Sequence, residues 1–162
     1  MKQTPQHLSP MDYAMKYLTT RYRTESEMIA YLDSKDFGEA DVDATIERLK
    51  SLGLIDDERF AKRFVETRLA TKPISQRHLF EQLRAHGLSE EHIEAALAQT
   101  DEDTESENAL SIARKFARQF RDLEPQKRRE RVFSRLQARG FSYDVSRRAV
   151  EQALLEDECS ES

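Results

Sequence analysis

The chain has 162 residues, and its 26 Lys and Arg against 31 Asp and Glu give a formal net charge of −5. No apolar stretch approaches the roughly 18 to 20 residues that cross a bilayer, which excludes a membrane-spanning helix and favours a soluble protein. The single cysteine, Cys159, excludes an internal disulfide framework and a cysteine-based zinc cage. Because the segment from Met1 to Pro10 lacks the apolar run of a secretory signal, we expect a reducing, cytoplasmic compartment.

Capping residues predict three helices in the first third of the chain. Ser9 followed by Pro10 combines a capping hydroxyl with a proline at the first helical position. Thr24 and Glu27 have the spacing of a capping box, and Gly53 is suited to the left-handed residue that ends a helix. The expected helices are Met11 to Arg21, a second that begins at Thr24, and Glu39 to Leu52.

The same signals recur in the rest of the chain and predict six more helices. Acidic side chains from Asp56 to Glu58 stand where a helix macrodipole favours negative charge. Other helices should begin at the caps Ser75, Ser89 and Ser142 and at Pro125, and helices should end at Gly87 and Gly140. One long helix is indicated by its apolar stripe of Leu110, Ala113, Phe116 and Phe120. The composition, rich in Ala, Leu, Glu, Arg and Gln, also favours helix.

Superposing the thirds of the chain reveals a degenerate repeat with a period of about 50 residues. The first helices align at Tyr13–Tyr17, Phe60–Phe64 and Ile112–Phe116, each with an alanine second and an aromatic residue last. Three joints also align, at Asp36-Phe37, Gly87-Leu88 and Gly140-Phe141. Any helical protein has apolar residues at similar spacing, but two ordered segments in three copies favour a true repeat.

The predicted fold is therefore all-α, an elongated and curved tandem array of three three-helix repeats with about nine helices. The expected boundaries are 1–55, 56–100 and 101–155, followed by an acidic, disordered tail at 156–162. A unit of this size has little core of its own, so stacking of successive units should supply much of the stability. Asp36 stands where the other repeats have glycine, and we expect a distorted first joint with Gly38 as its left-handed residue.

Charge is strongly segregated along the chain. Residues 112–155 carry 12 basic and 5 acidic side chains, whereas 101–111 carry five acids and no basic residue. The basic block could attract nucleic acid or an acidic protein surface. Alternatively, it is a solvated helical face that pairs with the acidic stretches on either side. The aromatic residues fall at core spacing, so stacking platforms for single strands are not evident.

Catalytic constellations are not apparent in the sequence. The four glycines are too far apart to form a GxGxxG or Walker A loop. His78, His86 and His92 do not share a helical face with a carboxylate partner, and Cys159 lies among acids, a setting that does not activate a cysteine. We therefore expect a protein that is not an enzyme and uses no metal or cofactor.

One segment of the sequence is more characteristic of a single protein family than the rest of the chain. The sequence Leu-Lys-Ser-Leu-Gly-Leu-Ile-Asp-Asp-Glu-Arg-Phe-Ala at 49–61, followed by Val65 to Arg68 and by the two later joints, resembles the RecX regulatory proteins of bacteria. The resemblance extends over nearly the whole chain. It implies a tandem three-helix fold and a monomeric, non-enzymatic modulator that binds the RecA nucleoprotein filament. Its expected effect is inhibition of the recombinase, ATPase and coprotease activities of RecA.

Basic residues of the second and third repeats are the candidates for contact with this partner. They are Arg59, Arg63, Arg68, Lys72, Arg77 and Arg84 in the second repeat, and Lys127, Arg128, Arg131 and Arg135 in the third. For each, an ordinary surface side chain is the competing interpretation. Phe60, Phe64, Leu83 and Leu88 are assigned to the core.

Two other functions remain open from the sequence. The first is a direct DNA-binding protein that holds single- or double-stranded DNA through its basic third repeat. The second is a helical adaptor for another partner.

Overall fold

The structure is a computed structural model that describes residues 7–162. Within them the chain forms nine α-helices and no strand. The helices are α1 (Pro10–Leu18), α2 (Glu25–Asp33), α3 (Glu39–Ser51), α4 (Asp57–Thr71), α5 (Gln76–Ala85), α6 (Glu90–Leu97), α7 (Glu102–Gln119), α8 (Pro125–Ala138) and α9 (Tyr143–Ser160). The expectation that Met1 to Pro10 is not a secretory signal falls partly on residues 1–6, which lie outside the described residues. Among residues 7–162, no helix combines the length and apolar character needed to cross a membrane.

The expected capping residues begin most of the helices. The Ser9 hydroxyl accepts the Asp12 N–H, and the Asp12 carboxylate accepts the Ser9 N–H, which completes a capping box. Helix α1 ends at Leu18 rather than near Arg21. The hydroxyls of Thr19 and Thr20 donate to carbonyls of the last turn and satisfy them without further helix.

The helices pack as three three-helix bundles, which confirms the predicted all-α tandem array. Repeat 1 comprises α1–α3, repeat 2 α4–α6 and repeat 3 α7–α9. Each has its own buried cluster, centred on Met28, Leu32 and Leu49, on Val65, Leu79 and Leu83, and on Val132, Leu136 and Val150. Extensive helix-to-helix packing occurs within repeats, so the repeats meet through short segments at their joints and form an elongated molecule.

The two joints are built from the same bonds. In the first, the buried Thr24 hydroxyl donates to the His86 carbonyl at 2.6 Å. In the second, the buried Ser75 hydroxyl donates to the Arg139 carbonyl. Each hydroxyl also accepts a backbone N–H of its own helix, at α2 and α5 respectively. One N-cap side chain therefore starts a helix and fastens the next repeat.

A carboxylate completes each joint. The Glu25 N–H donates to Asp57 Oδ1 at 2.9 Å, and the Gln76 N–H donates to Glu105 Oε2 at 3.0 Å. Burial raises the pKa of both carboxyl groups above their usual values, and the backbone hydrogen bonds oppose that shift. Each joint thus places a partly desolvated acid at the amino terminus of the preceding repeat's second helix, where the macrodipole favours negative charge.

The left-handed residue of the first repeat is Asp36, not Gly38. Asp36 has φ of +62°, whereas Gly38 is the N-cap of α3 with φ of −66°. Gly87 and Gly140 need the absence of a side chain because a Cβ would lie 2.5 Å from the Ser26 Cβ or 2.9 Å from the Ser75 Oγ. Asp36 is exposed, so its side chain meets no such neighbour and aspartate tolerates the conformation.

The acidic segment expected to be a disordered tail is helical as far as Ser160. Buried Ala153 and Leu154 fix α9 against the core of repeat 3. Beyond them, Arg114 binds Glu156 through two hydrogen bonds of 2.6 and 2.9 Å. Arg121 and Arg128 both bind Asp157. We call Glu156 and Asp157, with these three arginines, the α9 clamp.

The first prediction separates crowding at a joint from backbone strain. Gly87 and Gly53 have φ of +78° and +69°, so alanine at either costs about 1 to 2 kcal/mol. At Gly53 a Cβ meets no atom within 4 Å, whereas at Gly87 it meets Ser26. We expect Gly87→Ala to lower the urea-unfolding free energy by more than Gly53→Ala does. Combining Ser26→Gly with Gly87→Ala should recover part of that difference, because the second substitution removes the Cβ that opposes the new alanine. Equal losses in the two alanine variants would contradict this account of the joint.

The second prediction concerns the pH dependence of the α9 clamp. Hydrogen bonds from Arg121 and Arg128 lower the pKa of Asp157 from 3.8 to about 2. The folded state therefore favours the ionised carboxylate, and its stabilisation is present above about pH 4 and lost as the pH falls toward 2. Asp157→Asn should destabilise the protein by roughly 1 kcal/mol at pH 7, and most of the difference from wild type should be lost by pH 2. Urea unfolding from pH 7 to 2 measures this.

Glu151→Gln is the matched control. Glu151 lies on the same helix and pairs with Arg147 at 3.4 Å, but its side chain is 46% exposed. Its substitution should change stability little at any of these pH values. A pH-independent loss in Asp157→Asn would show that packing, not the ionised carboxylate, holds α9.

Candidate functional site

A cleft of about 410 Å³ lies between repeats 1 and 2. One wall is the connection between α1 and α2, and the other is α4 with the residues that flank it. We call it the α4 cleft. Its lining residues are Arg21, Tyr22, Arg23, Leu54, Asp56, Arg59, Phe60, Arg63, Phe64, Thr67, Arg68 and His86.

Helical spacing on α4 produces the long wall of the cleft. Residues 60, 64 and 67 or 68 recur every three or four positions and so share a face. Ala61 and Val65 lie on the neighbouring face and are buried in the core of repeat 2. Phe60 and Phe64 are half-buried rather than enclosed in the core, because one side of each ring faces the cleft. Leu83 and Leu88 are buried as predicted.

Three rings form the floor of the α4 cleft. Phe60 and Phe64 lie nearly parallel, with centroids 6.2 Å apart and an interplanar angle of 17°. The imidazole of His86 meets both edge-on, at 5.2 and 5.3 Å. Such edge contacts are the favoured geometry of aromatic groups. Leu54 and Tyr22 extend this apolar surface, and Tyr22 is 63% exposed.

Glu27 organises the wall that belongs to repeat 1. Its carboxylate lies 2.6 Å from His86 Nδ1, 3.2 Å from Arg21 Nη2 and 3.7 Å from Arg23 Nη1. The predicted capping box at Thr24 is therefore half formed, because Glu27 binds these side chains instead of the Thr24 N–H. In return, Glu27 ties the α1–α2 connection to His86 across the joint.

Arg59, Arg63 and Arg68 form the opposite rim. Arg59 donates to the Gly53 carbonyl, the guanidinium of Arg63 lies 5.1 Å from the Tyr22 ring, and that of Arg68 lies 5.0 Å from the Phe64 ring. In the part of the chain that the structure describes, these three groups contact a carbonyl and aromatic rings rather than carboxylates. Asp56, Glu58 and Glu66 line a neighbouring depression with Arg59 and Arg63, and Glu58 in that depression pairs with Lys62.

The other predicted contacts of repeat 2 lie elsewhere. Lys72 is exposed at the end of α4, and its N–H caps that helix. Arg77 is 72% exposed and pairs with Glu81 at 3.3 Å. Arg84 is exposed farther along α5, where it lines a shallow depression with Arg77. The six predicted residues therefore divide into a cleft group of three and three outlying side chains.

The third-repeat candidates are also divided. Lys127 and Arg131 are exposed and line one shallow depression on α8. Arg128 was predicted to contact a partner, but its side chain is 11% exposed and binds Asp157 and the Ala117 carbonyl. The structure thus gives Arg128 a role in the α9 clamp. The guanidinium of Arg135 lies over the Phe116 and Phe120 rings, at 5.4 and 5.8 Å.

Nine of the twelve lining residues are absent from the predicted contacts, among them Arg21, Tyr22, Arg23, Leu54 and His86. For His86 the repeat itself held a signal. The residue before the left-handed position is Lys35, His86 or Arg139 in the three repeats, and each lies against an aromatic ring of its own first helix. That alignment places His86 beside Phe60.

The arrangement is suited to binding a ligand. Five of its polar side chains are arginines, whose guanidinium groups donate hydrogen bonds and carry positive charge. Across residues 7–162, no group of three His, Cys, Asp or Glu side chains is placed to hold a metal ion. Cations around an apolar floor can bind an anion that carries an apolar part.

Comparison with known proteins identifies all three repeats. Models of the first, second and third three-helix domains of RecX match residues 11–49, 56–97 and 103–150 in order. These matches follow the repeats of the structure and together cover most of the chain.

Individual relatives agree with the models. The regulatory protein RecX of Chlorobium phaeobacteroides is 33% identical over 87% of this chain and 91% of its own length, and that of Streptomyces coelicolor is 30% identical over 88% and 76%. The chain spans 53% of the longer RecX of Bacillus pumilus, at 29% identity. The crystal structure of RecX from Lactobacillus salivarius superposes with a TM-score of 0.82, at 25% identity over 90% of this chain and 95% of that one. The chain belongs to the RecX family of regulatory proteins.

Proposed function

We propose that this protein binds the RecA nucleoprotein filament in the cytoplasm, as a monomer, and inhibits the recombinase, ATPase and coprotease activities of RecA without catalysing a reaction itself. The observation that carries the proposal is the ordered match of all three repeats to the three RecX domains. The relatives are named as regulatory proteins, and RecA is the recombinase that this family's resemblance implies.

The architecture supports this function. Three separate cores in a row give a long surface, and such arrays bind extended partners along their length. A filament offers its partner repeated sites along an axis, which suits a protein of this shape.

Arg59, Arg63 and Arg68 are the first candidates for contact in this proposal, because all three line the α4 cleft. Lys127 and Arg131 on α8 are the second group. Lys72, Arg77 and Arg84 extend the contact along repeat 2 if the partner covers its whole surface.

The test is a titration of the full chain into RecA that hydrolyses ATP on single-stranded DNA. Wild-type protein should lower the rate of hydrolysis. Arg63→Glu combined with Arg68→Glu should weaken the apparent affinity by roughly tenfold or more, because charge reversal replaces attraction with repulsion. The melting temperature should hardly change, since both side chains are exposed.

Lys62→Glu is the matched control on the same helix. Lys62 binds Glu58 at 3.0 Å and does not line the α4 cleft, so its substitution should leave the inhibition intact. An unchanged rate of ATP hydrolysis at every concentration of the wild-type protein would refute the proposed function.

Direct DNA binding through repeat 3 is the second candidate function, favoured by the exposed pair Lys127 and Arg131. The α9 clamp counts against this function, because three arginines of the basic block are already paired with acids there. If this function holds, DNA should bind without RecA, and its affinity should fall steeply with salt as counterions are released. Lys127→Glu should weaken that binding. Binding that is undetectable at low salt would eliminate this candidate.

A further inference from the structure

The α4 cleft is open in repeat 2, while the equivalent surface of repeat 3 is closed. In repeat 3, the guanidinium groups of Arg135 and Arg139 lie over Phe116, which is 6% exposed. Phe64, the equivalent of Phe116, faces a cleft of about 410 Å³ instead. An open apolar floor is therefore not a general property of the repeat but a feature of the first joint.

The charge around this floor selects the kind of ligand. The lining holds five arginines and a single carboxylate, that of Asp56. The Asp56 carboxylate is occupied as the N-cap of α4, where it accepts the Arg59 N–H at 3.0 Å. Glu27 offsets Arg21 and Arg23. Glu58 and Glu66 lie near Arg59 and Arg63 but do not line the cleft, and Glu58 pairs with Lys62. The cleft side of the α4 rim therefore carries more positive than negative groups. Charge complementarity requires an anionic ligand.

The aromatic geometry decides between a nucleic acid and a protein. Base stacking needs an open ring face. Arg68 lies over one face of Phe64, and His86 meets Phe60 and Phe64 at an angle, so the floor offers a hollow rather than a flat platform for a base. The space between the two phenylalanine rings, Leu54 and Tyr22 is concave and apolar, which suits the insertion of one large side chain as an anchor. Its volume falls within the roughly 300 to 1,000 Å³ of sites that enclose a ligand group.

We infer that the α4 cleft is a docking site for an acidic segment of a protein partner, which inserts one large apolar side chain against Phe60, Phe64 and Leu54. Carboxylates on either side of that anchor pair with Arg59, Arg63 and Arg68. The inference deepens the proposed function and rests on it in one respect, namely that the segment belongs to the regulated filament. The binding chemistry itself is a property of this chain and is testable alone.

The experiment measures fluorescence anisotropy of a labelled peptide of about a dozen residues, with Glu and Asp around one central Phe. The full-length protein should bind it at least about tenfold more tightly than the same peptide with a central Ser, because the anchor supplies the apolar contact. Thr67→Trp, which places a large side chain into the cleft from an exposed position, should reduce binding by about tenfold or more. Arg63→Glu should do the same, and Lys62→Glu should not.

Several results would overturn the inference. They are equal affinity for the Phe and Ser peptides, undiminished binding by Thr67→Trp, or displacement of the peptide by an oligothymidylate that binds the wild type but not Thr67→Trp. The last result would identify the cleft as a nucleic-acid site. Circular dichroism and the melting temperature verify that each variant is folded.

The RecA titration is read separately from the peptide assay. Peptide binding without any effect of the wild-type protein on ATP hydrolysis would refute the proposed function and leave the cleft inference standing. Inhibition of hydrolysis without peptide binding would refute the cleft inference and leave the proposed function standing.

Discussion

The arrangement of the molecule depends on one hydrogen bond, used twice. A buried N-cap hydroxyl, from Thr24 or Ser75, donates to the carbonyl that precedes a left-handed glycine in the next repeat. A buried hydroxyl without a partner would cost about 1 to 3 kcal/mol, so its position fixes the register of one repeat against the next. At α8 the equivalent residues are Glu124 and Pro125, without a side-chain cap bond and without a proline N–H. In the described structure no further repeat packs against the start of α8. This helix accordingly lacks both hydrogen-bond donors that form the other two joints.

Local rules explain why so much of the fold could be predicted from sequence. Caps such as Ser9, Ser89 and Ser142 act within one turn of their own helix, and apolar spacing within a helix indicates its buried face. These signals need no knowledge of the partner surface. The repeat then followed from the alignment of segments that obey the same rules.

The errors have a common physical origin in contacts between residues distant in sequence. Residues 156–160 look disordered because their acids are repelled locally, but their partners Arg114, Arg121 and Arg128 lie 29 to 42 residues away. Asp36 can take the place of glycine because its side chain is exposed in the described structure. The α4 cleft needs residues 21–23 beside α4, and the first joint alone brings them together. Phe60 and Phe64 have the spacing of core residues, and the sequence does not reveal that one side of each ring is open.

The separation of the three cores has a mechanical consequence. Bending a molecule whose cores are each closed within one repeat disturbs little apolar packing, because few contacts cross between units. The softest motions are then rotations at two hinges, each controlled by a hydroxyl, a carboxylate and the fit of a glycine. The α4 cleft straddles the first hinge, so a ligand seated there would stiffen it and set the angle at which the first repeat leans on the second.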